Sequence, residues 1–147
     1  MAKPRRLWDA SVIIDYLKGT GEAGVCDDII EHAGKGDLEI AVSMLAHAEV
    51  AKVDGSERDE GLIQEFFSRP YVISIAVTRQ VTAEARRLVR DGLVKRSADA
   101  IHAATALVYK IPILETTDLD DFKSVNGVGE PPLEVRKPVP FGPPRLF

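Results

Sequence analysis

The chain has 147 residues, enough for one compact domain with little room for a second. Hydrophobic residues make up 45 %, which supports a real core, and 23 Asp and Glu against 19 Lys and Arg leave a net charge of −4. That balance excludes a protein that coats nucleic acid through bulk positive charge, though not an enzyme that acts on nucleic acid. No apolar run is long enough to span a membrane. The basic start Lys3-Pro4-Arg5-Arg6 reaches Asp9 at once, without the apolar core of a signal peptide. The lone Cys26 excludes an internal disulfide and a Cys-based zinc site. The expectation is a soluble, cytoplasmic, single-domain protein.

In chain order, residues 5–9 read as a short strand, and 11–18 as a helix stopped by Gly19 and Gly21. Val25, Ile29 and Ile30 fall near helical spacing over 22–33, with Gly34 and Gly36 as stops. Residues 38–42 read as a second strand, and Ser43 as the N-cap of a helix over 44–53. An amphipathic helix follows over 57–67 and ends before Pro70. A β-branched strand over 71–75 leads into a long helix over 78–91 with a basic outer face. An Ala-rich helix spans 97–109, a buried strand 111–114 and an edge strand 133–135. This alternation predicts an α/β fold with a mostly parallel central sheet between helices. Six of the nine prolines lie between Pro131 and Pro144, so residues 136–147 are expected to form a non-helical tail after a domain over 1–135.

The positions of the acids say more than their number. Asp9 ends the first strand directly before a helix, and Glu49 lies in the helix after the second strand. Asp99 stands in the first turn of the Ala-rich helix, and Asp118 follows the strand over 111–114. A parallel sheet gathers strand ends and helix starts of this kind at one edge. Clustered carboxylates repel and their pKa values rise unless a cation sits among them. Mg²⁺ or Mn²⁺ meets that need, because hard ions take oxygen ligands, and Mg²⁺ keeps several of its waters. Each acid also has a plain reading: Asp9 as a helix cap, Glu49 as a solvated helix residue, Asp99 as a first-turn acid and Asp118 as a turn residue. Taken singly the two readings balance; the four positions together favour a site.

The motifs resemble the PIN-domain nucleases and, within them, the VapC-like toxins of bacterial toxin–antitoxin pairs. Leu7-Trp8-Asp9-Ala10-Ser11-Val12-Ile13-Ile14 is similar to the first motif of that family, and the segment from Ser43 to Val50, with its helical Glu49, to the second. Ser97-Ala98-Asp99-Ala100-Ile101-His102-Ala103-Ala104 matches the third, an Asp opening an Ala-rich helix. Thr116-Thr117-Asp118-Leu119-Asp120-Asp121-Phe122 resembles the fourth, with one extra residue that leaves the fourth acid open between Asp118, Asp120 and Asp121. The resemblance implies a three-layer α/β/α fold, a Mg²⁺ or Mn²⁺ site and cleavage of single-stranded RNA. It also implies an acidic quartet of Asp9, Glu49, Asp99 and Asp118, with metal contacts from Asp9, Asp99 and Asp118. Glu49 would either bind metal or orient water, and Ser11 and Thr116 would support the site through hydrogen bonds. A cognate antitoxin and a homodimer are implied as well.

Outside the acids, Arg86, Arg87, Arg90, Lys95 and Arg96 form a basic cluster that either contacts phosphates or is a solvated helix face. Arg96 lies three residues before Asp99 and His102 three after it, so both are candidate contacts to phosphate or RNA; for His102 the alternative is a packed helix histidine. No Gly-rich phosphate loop, Gly-x-Ser-x-Gly elbow or His-Glu-x-x-His is present. The leading expectation is a metal-dependent endoribonuclease of a toxin–antitoxin pair. Its rivals are a Mg²⁺-dependent phosphohydrolase acting on small esters and a non-catalytic PIN-like binding module.

Overall fold

The structure, a computed structural model, describes residues 2–142. Five strands form one sheet: β1 (Arg5–Trp8), β2 (Glu39–Ser43), β3 (Val72–Ile75), β4 (Ile113–Glu115) and β5 (Glu134–Arg136). All neighbours pair in parallel, in the order β3-β2-β1-β4-β5, with Leu7 opposite both Ala41 and Leu114. The helices are α1 (Ala10–Lys18), α2 (Ala23–Gly34), α3 (Met44–Glu49), α4 (Asp59–Phe67), α5 (Arg79–Arg90), α6 (Ser97–Val108) and α7 (Leu119–Phe122), the last running into a 3₁₀ turn, Lys123–Val125.

Strand side chains alternate between the two faces of the sheet, and that alternation builds two cores. Leu7, Ala41 and Leu114 face α5 and α6, where they meet Val81, Leu88, Ala100 and Ala104. Trp8, Ile40 and Val42 face the other way, onto Val12 and Ile13 of α1, Ile29 of α2 and Phe66 of α4. The architecture is therefore three layers, α/β/α, with a sheet buried on both faces as parallel sheets require. Trp8 is fully buried and stacks on Phe66 with ring centroids 6.4 Å apart.

Several boundaries differ from the sequence expectation, each for a local reason. The helix expected over 44–53 stops at Glu49. Asp59 draws the following chain into a turn by accepting the N–H groups of Val53, Asp54 and Gly55 at 2.9, 3.1 and 2.9 Å. The strand expected from 111 starts at Ile113, because the Ile111 N–H closes the end of α6 on the Ala106 carbonyl and Pro112 has no N–H to offer. Ser43 caps α3 as expected, accepting the Leu45 N–H at 3.1 Å.

The Pro-rich segment after β5 carries no helix through residue 142, and the expected boundary after 135 falls within β5. The segment packs back on the domain: the Val139 carbonyl accepts from Arg6, and the Phe141 N–H donates to Asp28 of α2 at 2.9 Å. The last five residues of that expected tail, 143–147, lie outside the described residues. No helix among the described residues is long and apolar enough to cross a membrane.

Candidate active site

The chain runs outward from β1 through β2 and β3, then returns to the other flank of β1 through β4 and β5. The order thus reverses between β1 and β4, and ligands bind to such folds in the crevice beyond the carboxyl ends of the strands at that point. Asp9 leaves β1 there and Thr116 leaves β4.

Asp9 is only 4 % exposed, and its carboxylate holds the two loops together. Oδ2 accepts from the Thr116 hydroxyl at 2.7 Å; Oδ1 accepts from the Ser11 hydroxyl at 2.5 Å and, more weakly, from the Val12 N–H at 3.4 Å. Each hydroxyl also accepts a backbone N–H: Ser11 from Thr117 across the two loops at 3.1 Å, and Thr116 from Asp118 of its own loop at 3.0 Å. Asp9 therefore both caps α1 and projects a fixed carboxylate into the crevice. Burial pushes its carboxyl above the usual range, against the pull of these hydrogen bonds.

Asp99 sits in the first turn of α6. Partial burial pushes its carboxyl up, and the charges of Asp121 and Asp9 push it further, while Arg96 pulls it down. Asp9, Asp99 and Asp121 thus share one field. Asp99, Asp120 and Asp121 line a cleft of about 260 Å³ whose rim carries Lys95 and Lys123. Asp118, exposed like Asp120 and Asp121, precedes α7 and lies outside that cleft, and its side chain makes no capping bond there among the described residues. Of the three acids left open by the sequence, Asp121 is the one whose charge acts on Asp99.

Among the described residues, no three His, Cys, Asp or Glu side chains converge into a ready-made metal cage. The donor chemistry nonetheless suits Mg²⁺ or Mn²⁺. Mg²⁺ is commonly held by one or two carboxylates and its own waters, and a cation would relieve the repulsion that raises the Asp99 carboxyl.

Glu49 ends α3, and its Oε1 lies 2.5 Å from Nε2 of His102 on α6. His102 is 1 % exposed, so its ring meets Glu49 rather than solvent. Arg96 is exposed immediately before α6. The rest of the basic cluster is divided: Arg87 pairs with Glu84 and Asp91, and Arg86 and Arg90 flank an apolar groove between α5 and α6 lined by Ala85, Val89 and Ile101.

One functional-site neighbour escaped sequence reading. Glu115, fully buried at the end of β4, accepts from Trp8 Nε1 at 2.9 Å, Arg6 Nη1 at 3.1 Å, Arg136 Nε at 3.1 Å and the Val139 N–H at 3.2 Å. It stands opposite Trp8 in the ladder, one residue before Thr116, and so forms the floor beneath the Asp9–Thr116 bond. The available signal was its place at the end of a buried strand, where an acid needs partners.

The raised carboxyl of Asp99 has a thermodynamic sign. The native state holds that proton to higher pH than the unfolded chain does, so stability falls as pH rises from the ordinary Asp range through the raised value. An Asp99→Asn variant, neutral throughout, should melt above the wild type at pH 7 without metal, and the gap should close as pH falls toward 4. Thermal melts of both proteins across that range, in chelator, check this; a gap that widens on acidification would contradict it.

The PIN domain family profile matches residues 6–128, and the chain belongs to that family. A search among curated proteins finds no match. Solved structures with the same fold include VapBC2 from Rickettsia felis bound to a DNA fragment from its promoter, at a TM-score of 0.68 and 17 % identity over 90 % of this chain and 98 % of that one. A toxin–antitoxin complex from Klebsiella pneumoniae aligns at a TM-score of 0.58 and 18 % identity over 79 % of this chain and 88 % of that one.

Proposed function

We propose that the protein is a metal-dependent endoribonuclease and the toxin of a toxin–antitoxin pair. The observation that carries the chemistry is the Asp9 carboxylate, buried at the switch point, fixed by Ser11 and Thr116 and sharing its field with Asp99 and Asp121. Membership of the PIN family supports nuclease chemistry. The two structural relatives are toxin–antitoxin complexes, which supports an antitoxin that covers the site. A homodimer and a cytoplasmic location belong to the same reading.

Asp9 and Asp99 would hold a Mg²⁺ or Mn²⁺ ion, with Asp121, or Asp118 as the motif suggests, on its outer side. Such an ion supplies a Lewis acid that polarises the phosphodiester and offsets the charge built up in the displacement. The Ser11 and Thr116 hydroxyls keep both Asp9 oxygens aimed into the crevice. Glu49 uses Oε1 on His102 and has Oε2 without a hydrogen bond among the described residues, so it can take the proton of an attacking water. Arg96, Lys95 and Lys123 line the approach for the negatively charged strand.

The test is cleavage of single-stranded RNA by the purified protein with Mg²⁺ or Mn²⁺ and with chelator. Cleavage that chelator abolishes and Mn²⁺ restores is expected. Turnover of a chromogenic phosphate monoester without RNA cleavage would instead assign a small-ester phosphohydrolase. No turnover of either, with no heat of Mn²⁺ binding, would assign a binding module.

A further inference from the structure

His102 follows Asp99 by three residues in α6, so the two side chains share one face of that helix. Its ring is almost fully buried, with Nε2 against Glu49 Oε1 and Nδ1 without a hydrogen-bond partner among the described residues. A neutral imidazole has one N–H and one lone pair. A hydrogen on Nδ1 would leave a buried donor unmade and set the Nε2 lone pair against a carboxylate. A hydrogen on Nε2 meets the carboxylate and leaves only a lone pair unpaired, which a fold tolerates better than an orphaned N–H. Burial therefore decides which nitrogen donates.

Glu49 needs such a partner. It is the last residue of the six-residue helix α3, and Val50 already leaves helical geometry at φ −86°, ψ 74°. A side chain at that position has many rotamers and an open path to water. We propose that His102 is the positioning residue of Glu49: its Nε2–H holds the Glu49 carboxylate one helical turn from Asp99, on the acidic side of the crevice. The role of Glu49 in cleavage rests on the nuclease reading above; the hydrogen bond and its direction do not.

The geometry separates substitutions of similar polarity. The side-chain amide nitrogen of Gln reaches as far from Cα as Nε2 of His, whereas that of Asn reaches only as far as Nδ1. His102→Gln therefore keeps a donor toward Glu49, and His102→Asn does not. Loss of an outer partner of this kind costs about 10–100-fold in activity. His102→Leu should show that loss in kcat with little change in KM, and Glu49→Ala a loss at least as large. The double variant should be no worse than Glu49→Ala alone, and His102→Gln should recover most of the activity that His102→Leu and His102→Asn lack. If His102→Leu does not fold, the Gln and Asn variants decide.

Independently, nitrogen-15 NMR of the full-length, metal-free protein reads the imidazole directly, with three histidines to assign. The hydrogen of His102 should lie on Nε2. A hydrogen on Nδ1, losses that multiply in the double variant, or equal activity of the Gln and Asn variants would each overturn the proposal. Absence of RNA cleavage even in the wild type would sink the nuclease reading, while the imidazole spectrum would still decide the Glu49–His102 bond.

Discussion

Asp99→Asn is expected to abolish metal-dependent RNA cleavage, with a loss of at least about 10²–10³-fold, the range seen when transition-state charge stabilisation is removed, here with the cation that Asp99 would hold. The same change should stabilise the metal-free protein at neutral pH, because Asp99 ionises there against partial burial and the charges of Asp121 and Asp9. Opposite signs on activity and stability mark a carboxylate kept for its chemistry rather than for the fold. Full activity in a well-folded Asp99→Asn protein would sink the assignment. Parallel variants settle the fourth acid: Asp121→Asn should weaken Mn²⁺ binding more than Asp118→Asn, since Asp121 lines the cleft beside Asp99 and its charge acts on Asp99. Calorimetric titration of the two variants reads that difference directly.

Glu115→Ala is expected to cost about 3–5 kcal/mol, the usual effect of breaking a buried ion pair by removing one partner. Four donors would lose their acceptor at once: Arg6, Trp8, Arg136 and the Val139 N–H. Arg6 is itself only 6 % exposed, and burial already pushes its guanidinium below its usual value while Glu115 holds it up. At about 2–4 °C per kcal/mol for a domain of this size, the melting temperature should fall by roughly 6–20 °C. The neutral pair Arg6→Met with Glu115→Leu should recover much of this, because well-packed apolar residues often replace a buried pair without loss. A melting point for Glu115→Ala within 2 °C of the wild type, a bound set by about 1 kcal/mol, would show that the network is not holding the two strands.

Much of the fold is visible in local pattern. Gly19 adopts φ 74° and closes α1, Thr78 caps α5 and Ser43 caps α3, each as its residue type suggests. Local pattern fails where a distant or later group decides. The end of α3 is set by Asp59, which lies beyond the helix it ends. At the candidate site, Asp9 and Asp99 stand out because they fall at a strand end and a helix start, whereas Glu49 reads as a mid-helix acid and its place at the end of α3 emerges only in the fold. Choosing between Asp118 and Asp121 instead depends on how the four-residue helix α7 packs, which spacing along the chain does not encode. Glu115 is hidden for the same reason: Arg6 and Trp8, which satisfy it, lie 109 and 107 residues away.

The central place of β1 also bears on when the protein can act. The pairing of β1 with β2, and of β2 with β3, needs no residue beyond Ile75. The bond that fixes Asp9 comes from Thr116, 107 residues later, and Asp99 arrives only shortly before it. Contacts so far apart form late, since the intervening chain must first be closed into a loop. A chain that stops before β4 lacks Thr116, so Asp9 Oδ2 is without the hydroxyl that fixes it. On the nuclease reading proposed above, the site would therefore be completed only once β4 has paired with β1, which ties the onset of any cleavage to a late step of folding.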